Sequence, residues 1–454
     1  MSTTTTTPRS PPQGPPGHLL FGHYLPFRDR TLDFFVQTAR DYGDVVQLRF
    51  GPQRVILIND PSMAEEVFHD TANFRKEGRW QRLSPLLGQG LLTNEGEPWM
   101  KQRRLLVPTF QHKRLAGLIG MMSEATERAV DRWLTQHGQS GQFDINREMM
   151  ALALEVVVRS LFSTTLRRDT DQINAAFTEI QKHLLRHLWS FNPWPGKLPT
   201  PRNRRFKRAL GVLDAVVLRI IAEHRRQGAD HGDLLSMMLQ TRDEDSGEGM
   251  SDRQICDEVM TIILAGHETT ANGLSWAWLM LDRHPEVRQR LRDEALGVLG
   301  PDRPATIEDL RRMPYSLQVF KETMRIYPPI WLIPRTNQKS AVVGGWEIPP
   351  GSMVMVLPYL LHRHPGWWED PEVFNPDRFS PDEVDEGRPR YLYMPFGAGP
   401  RTCLGHRFAQ MEAQVVLSTV ARRCRIHVLK DDIEPQPLLS LRPRRGIPAR
   451  LERL

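Results

Sequence analysis

The chain reads as a mainly α fold with a small β region, organised as a single domain. Three observations predict this. Apolar residues recur at helical spacing through most of Glu97–Asp282 and again after Pro285, and the strand-like runs are few and short. Those runs come from both ends of the chain, around Val45 and Met353, and are expected to pair. No internal repeat or charged linker divides the sequence. Hydrophobic residues make up 40% and charged residues 25% of the 454 positions, enough for a real core under a polar surface.

In order, Met1–Gly17 is rich in Thr and Pro, and residues 1–18 are expected to be disordered ahead of a domain spanning 19–454. The periodicity predicts a helix over Leu32–Tyr42. Val45–Phe50 and Arg54–Ile58 alternate like strands around Gly51-Pro52, and Pro61–His69 begins another helix. Trp80–Leu92 and Trp189–Arg205 read as long irregular loops, and such loops are often lids. The longest helix starts at a Ser251 cap and runs to about Arg283, close to Pro285. At about 1.5 Å per residue it spans roughly 50 Å and must cross the molecule. Helices follow over Pro285–Leu299, Ile307–Arg312 and Leu317–Ile326. Small β pieces flank Gly344-Gly345 and Pro349-Pro350-Gly351, and Arg363–Ser380 reads as ordered coil. An amphipathic helix runs from about Leu404 to Val420.

Composition excludes several functions. The net charge is only +6, and no basic stripe with interleaved aromatics marks a nucleic-acid surface. Three cysteines, Cys256, Cys403 and Cys424, are too few and too odd for a disulfide scaffold and fit a reducing compartment. No apolar run approaches the roughly 18 residues of a spanning helix, and no signal-peptide pattern opens the chain; a soluble, cytoplasmic protein is expected.

Chemistry concentrates in two places. Phe396-Gly397-Ala398-Gly399-Pro400-Arg401-Thr402-Cys403-Leu404-Gly405 sets one cysteine in a glycine-rich loop just before a helix. Unpaired N–H groups at a helix N-terminus favour a thiolate. With no second cysteine nearby, neither a redox pair nor a zinc knuckle is available, and a lone buried thiolate suits axial ligation of haem iron. The second place is Ala265-Gly266-His267-Glu268-Thr269-Thr270, midway along the longest helix. A glycine and an acid are costly there. Gly266 would let a small ligand approach the backbone, and Thr269 can bond back to a carbonyl and open a groove. Glu268 and Thr269 are then placed to relay protons.

These stretches resemble the cysteine-ligand loop and the oxygen-binding helix motif of the cytochrome P450 superfamily. Phe396, Gly399, Arg401, Cys403 and Gly405 match the first, and Ala265, Gly266, Glu268 and Thr269 the second. Glu322-Thr323-Met324-Arg325 and Asn375-Pro376-Asp377-Arg378-Phe379 resemble the family's Glu-x-x-Arg helix and its later Pro-x-Arg-Phe segment. The resemblance implies that Glu322, Arg325 and Arg378 form a buried charge network locking the cysteine loop. It places Trp99, Arg103, Arg335 and Arg401 on the carboxylates of haem b. It implies a soluble bacterial haem-thiolate monooxygenase, the long helix lying over the haem, Cys403 on the iron, and catalysis by Glu268 and Thr269. Such an enzyme inserts one atom of O2 into a lipophilic substrate by hydroxylation or epoxidation.

Electrons from NAD(P)H would arrive through a separate ferredoxin or flavodoxin with its reductase, since residues 404–454 resemble no redox module. Lys101, Arg104, Lys113, Arg114, Arg407, Arg422 and Arg423 are candidate docking cations for that acidic partner. Leu91, Met260, Ile263, Leu264, Ile330 and Trp331 are candidate pocket residues, and the substrate class is a fatty acid, carotenoid or other terpenoid. Trp189–Trp194 would be a lid, able to touch a membrane surface, on a protein expected to be a monomer. A haem-thiolate isomerase or dehydratase, and a non-catalytic haem sensor, stay open as alternatives.

Overall fold

The structure is a computed structural model. It describes residues 9, 14–76, 78, 83–138, 141–162, 175–176, 179–180, 199–228, 231–243, 247–381 and 387–454. The Trp189–Trp194 lid and most of the Pro/Thr-rich opening lie outside these residues.

The chain begins with helices α1 (Tyr24–Asp29) and α2 (Thr31–Tyr42), strands β1 (Val45–Phe50) and β2 (Gln53–Ile58), helix α3 (Pro61–His69) and strand β3 (Phe74–Lys76). Next come α4 (Ser84–Leu87), α5 (Gly96–Leu106), α6 (His112–Ala116), α7 (Ile119–His137), β4 (Gln142–Asp144), α8 (Ile145–Phe162), α9 (Pro201–Gln227), α10 (Leu234–Gln240) and α11 (Asp252–Arg283). Then follow α12 (Pro285–Leu299), α13 (Ile307–Arg312), α14 (Pro314–Ile326), β5 (Ile333–Asn337), β6 (Ala341–Val343), β7 (Trp346–Ile348), β8 (Met353–Val356) and α15 (Pro358–Leu361). The last elements are α16 (His406–Arg423), β9 (Cys424–Val428), β10 (Pro435–Pro437), β11 (Leu441–Pro443) and β12 (Pro448–Arg453).

The chain forms two compact units, each gathered from distant segments: residues 1–77, 321–403 and 435–442, and residues 78–320, 404–434 and 443–454. The first holds a five-stranded sheet in the order β1-β2-β8-β5-β3. The expected pairing of the Val45 and Met353 regions is realised one strand over. β2 runs parallel to β8, with Val55 opposite Met353, and β1 reaches that strand only through its antiparallel hairpin with β2. β2 is buried along Val55–Ile58 and so sits inside the sheet, whereas β1 keeps Arg49 exposed and takes the edge. Phe68, Val67 and Ala64 of α3 pack on this sheet with Val354, Val356, Tyr391 and Met394. In the opening segment, Arg9 bridges Trp346 and the Pro15 carbonyl meets His23 Nε2.

The second unit is helical around α11, whose N-terminus is capped as read: Ser251 Oγ accepts from Gln254 N at 3.2 Å. A small sheet, β4-β12-β9, closes the unit. Trp80–Leu92 is not wholly irregular, because α4 forms a single turn inside it, with Leu86 and Leu87 buried.

Candidate functional site

The cysteine loop is a tight turn fixed by its own backbone. Gly397 N donates to Met394 O, Thr402 N and Oγ1 donate to Gly399 O, and Cys403 N donates to Phe396 O at 2.9 Å. Gly397 and Gly399 sit at φ +71° and +68°, and a Cβ on Gly399 would lie 2.9 Å from Phe68 O of α3. Both glycines are therefore required by conformation, and the second also by contact. Gly405 is the N-cap of α16, so Cys403 precedes the helix by two residues more than a capping position would.

The sequence reading expected a buried thiol here. Instead Cys403 is exposed, and Cys256 and Cys424 are the buried cysteines. Desolvation pushes the thiols of Cys256 and Cys424 up to about 12, so both stay protonated and inert.

Behind the turn lies the charge network. Arg325 and Glu322 are fully buried and paired in a fork, Nε to Oε2 and Nη2 to Oε1, both at 2.8 Å. Arg325 also donates to the carbonyls of His362 (2.9 Å), Pro371 (2.6 Å) and Val373 (3.1 Å), and stands 5.1 Å from the Trp368 ring. Glu322 accepts from Asn375 N, and Arg378 lies 3.6 Å from it while donating to Asp370 O. His362 carries the network onward, because its Nε2 accepts from Met394 N at 2.9 Å. That bond fixes the tautomer, and burial beside Arg325 and Arg363 lowers the imidazole to about 3. Tyr393 Oη donates to Lys321 O, so two successive residues leading into the cysteine turn are tied to this layer. His362 was not legible in advance, since a lone histidine carries no positional signal.

Arg335 is buried on β5, 5.0 Å from the Phe68 ring, and Arg401 is half-buried in the turn. In the second unit, Trp99 and Arg103 share one face of α5, with the guanidinium 5.8 Å from the indole.

Helix α11 is buried nearly throughout, except along one stripe. Ile262, Gly266 and Thr269 are half-exposed and Ala265 is exposed. At about 100° per residue these four lie on one face. Thr269 Oγ1 donates to Ala265 O at 2.6 Å, the back-bond expected of it. Glu268 is buried on the flank. A Cβ on Gly266 would meet Val157 of α8 at 3.0 Å, so in this structure the close approach it permits is that of a neighbouring helix. Burial lowers the neighbouring His267 to about 4 and keeps it neutral.

The candidate pocket residues Met260 and Leu264 are buried on the opposite face of α11, and it is Ile262 that lies on the open face. Ile263 is buried between the two, and Leu91 is half-buried in a loop bonded to α11. In the first unit, Trp331 is buried with its N–H on Leu438 O, and Ile330 is half-buried beside it. Among the candidate docking cations, Arg422 is buried and paired with Glu127, and Arg423 is half-buried between Glu127 and Asp131, so neither is a free surface charge. Lys101 is half-buried and paired with Glu248, Arg104 is exposed but paired with Asp243, and Arg114 and Arg407 are exposed.

The cytochrome P450 family pattern matches residues 12–447. The chain belongs to the cytochrome P450 family. Cyclooctatin synthase of Streptomyces melanosporofaciens is 36% identical over 96% of this P450 and 94% of that protein. Cyclooctat-9-en-7-ol 5-monooxygenase of the same organism is 34% identical over 93% and 90%. The haem domain in the crystal structure of cytochrome P450DA superposes with a TM-score of 0.89 at 27% identity, covering 99% of each chain. The protein is a P450 monooxygenase, using haem b, O2 and electrons from NAD(P)H delivered by redox partners. Within the first unit the groups fit a haem: an exposed Cys403 thiol as a soft ligand, and the Arg335 and Arg401 guanidinium groups, of the kind that pair with carboxylates. Among the described residues, no helix is long and apolar enough to cross a membrane.

Proposed function

We propose that this P450 hydroxylates or epoxidises a neutral cyclic terpenoid, with Cys403 as the axial haem ligand. The observation that carries the reading is the exposed Cys403 thiol at the end of a turn held by Phe396 O and, through Met394 and His362, by the buried Glu322–Arg325 pair. Trp99, Arg103, Arg335 and Arg401 would hold the haem carboxylates. When bound, the haem supplies dioxygen activation, with the thiolate donating electron density.

The remaining work belongs to the chain. The open face at Ala265 admits oxygen to the helix, and Thr269, anchored on Ala265 O, presents its hydroxyl there. Glu268 beside it supplies the proton that Thr269 passes on. The apolar side chain of Ile262 on this face, with Leu91 of the loop bonded to α11, excludes water and favours an uncharged substrate. The terpenoid class is favoured over fatty acids by the relative whose name gives cyclooctat-9-en-7-ol as substrate, a compound with one double bond and one hydroxyl. A separate ferredoxin or flavodoxin with its reductase delivers electrons, docking on exposed cations such as Arg104, Arg114 and Arg407. The protein acts as a cytoplasmic monomer.

The test is the carbon monoxide difference spectrum of the reduced protein beside Cys403→Ser, followed by turnover of cyclooctat-9-en-7-ol with a ferredoxin system. A strongly red-shifted band lost in the variant supports the ligand. An unshifted band in folded wild-type protein overturns it. Conversion of a fatty acid but not the terpenoid overturns the substrate reading alone.

A further inference from the structure

Two adjacent carboxyls on α11 take no part in the chemistry above, yet they hold a loop against the helix, and one of them, Glu258, lies on the face where that chemistry is placed. Glu258 Oε2 accepts from Leu91 N at 3.0 Å, and Asp257 Oδ2 accepts from Gln89 N at 2.9 Å. The loop is built to lie flush. Gly88, at φ +51°, faces Asp257 so closely that any Cβ would collide with its carboxylate, and a Cβ on Gly90 would collide with Thr261 Oγ1. The loop's remaining bonds brace it from within: Thr93 Oγ1 donates to Gly88 O and Gly90 O, while Asn94 Nδ2 and Gln102 Nε2 donate to Gln89 O.

The two acids differ in kind. Asp257 is paired with Arg253 at 2.7 Å, and Arg253 reaches on to Asp214. Glu258 is fully buried, and among the described residues it has no ion-pair partner and no hydrogen bond at Oε1. A carboxyl buried this way is costly as structure alone. Its place on the helix gives it a use. At 100° per residue, Glu258 lies on the same face as Ile262, Ala265 and Thr269, about two turns before Ala265. The loop that it grips therefore roofs the stripe just where the open part begins, with Leu91 at the bonded position.

We infer that Glu258 is a positioning residue for substrate recognition, its bond to Leu91 N fixing the 88–93 loop as a roof over the Ile262–Thr269 face. The inference rests on the reading that this face is where oxygen and substrate meet. Burial raises Glu258 to about 7, so near neutrality a proton is readily held, and an amide is a fair replacement.

The experiment compares Glu258→Gln, Glu258→Leu and Gly90→Ala with wild type. Two readouts are used: hydrogen exchange of the 88–93 amides, and spectral Kd values for 4-phenylimidazole and the bulkier 4-biphenylimidazole. Both probes bind haem whatever the natural substrate is, so a wrong substrate class does not mask the result. Glu258→Gln keeps an acceptor oxygen and should match wild type. Glu258→Leu removes it and should speed loop exchange and shift the ratio of the two Kd values by about tenfold, the scale of one unsatisfied buried N–H. Gly90→Ala displaces the loop with both carboxyls intact. It should reproduce the shift and serves if Glu258→Leu fails to bind haem. Faster exchange with an unchanged Kd ratio would show that the loop does not wall the pocket, and unchanged exchange in Glu258→Leu would show that the carboxyl does not latch the loop. Either result overturns the inference.

Discussion

Replacing Arg325 tests what holds the segment behind the cysteine turn. Its guanidinium makes five hydrogen bonds, two to Glu322 and three to the carbonyls of His362, Pro371 and Val373. Lysine keeps the charge but offers one compact ammonium with three donors, so at least two of those bonds are lost. At about 1.5–3 kcal/mol for each bond to a charged group, Arg325→Lys should cost roughly 3–6 kcal/mol. That is a large share of the roughly 5–15 kcal/mol by which a folded protein is stable. With a slope of about 3 kcal/mol per molar urea, the midpoint should fall by about 1 M or more. Arg325→Ala leaves the buried Glu322 carboxylate with only Asn375 N and the longer contact to Arg378, at 3.6 Å, and should not accumulate as folded protein.

The decisive variant is the double one, Glu322→Leu with Arg325→Leu. If the pair serves only itself, two well-packed leucines can restore stability, as they do at some buried ion pairs. The structure predicts otherwise, because three carbonyls and the Asn375 N–H would still be left unsatisfied. Full recovery of the urea midpoint in the double variant would refute the claim that the network anchors backbone.

Thr269→Val keeps the side-chain shape but removes the hydroxyl. Product formation should fall by about a hundredfold while NADPH oxidation persists, read as the ratio of product to NADPH consumed. Gly399→Ala puts a Cβ 2.9 Å from Phe68 O at φ +68° and should cost about 1–2 kcal/mol in strain alone, seen as reduced haem content per folded protein. His362, lowered to about 3 from a usual 6.5, stabilises the fold above pH 6.5, and that stability is lost as pH falls toward 3. The loss is of the order of several kcal/mol. His362→Gln, which can still accept from Met394 N, should flatten this acid limb in pH-dependent thermal melts; an unchanged limb would mean another group controls it.

How far the sequence could be read depended on whether a signal was local. Helix ends with their own punctuation were legible: Pro61–His69, Pro285–Leu299 and Ile307–Arg312 fall where proline and capping residues place them. The cysteine turn was legible because its glycines are demanded by backbone conformation. Partners were not. β12 pairs with both β4 and β9, and nothing in the three residues Gln142–Asp144 names a mate some 300 positions on. The pocket residues on α11 show the same limit. Apolar character selected Met260 and Leu264, but which face of a nearly all-buried helix is open depends on its neighbours. Glu258 did carry a signal, the one used for Glu268: an acid inside an apolar helix. Its partner is an N–H 167 residues away, out of reach of any local pattern.

The polar groups of α11 explain how one helix can be both core and site. A 32-residue helix through a protein interior would ordinarily be apolar all round, since each buried polar group must find a partner. Here the partners are supplied section by section. Near the start, Asp257 and Glu258 take loop N–H groups; near the end, Asn272 Oδ1 and Ser275 Oγ accept from Asn146 Nδ2 of α8. Between these pinned sections lies the stretch Ile262–Thr269, where the helix surface opens and Thr269 folds back onto Ala265 O. Fixing both flanks leaves the middle free to carry a half-exposed glycine and a threonine without loosening the helix, as the proton relay proposed for it would require of groups that must be held in place. The acid at one flank and the amide at the other are thus as much a part of positioning Thr269 as the residues beside it.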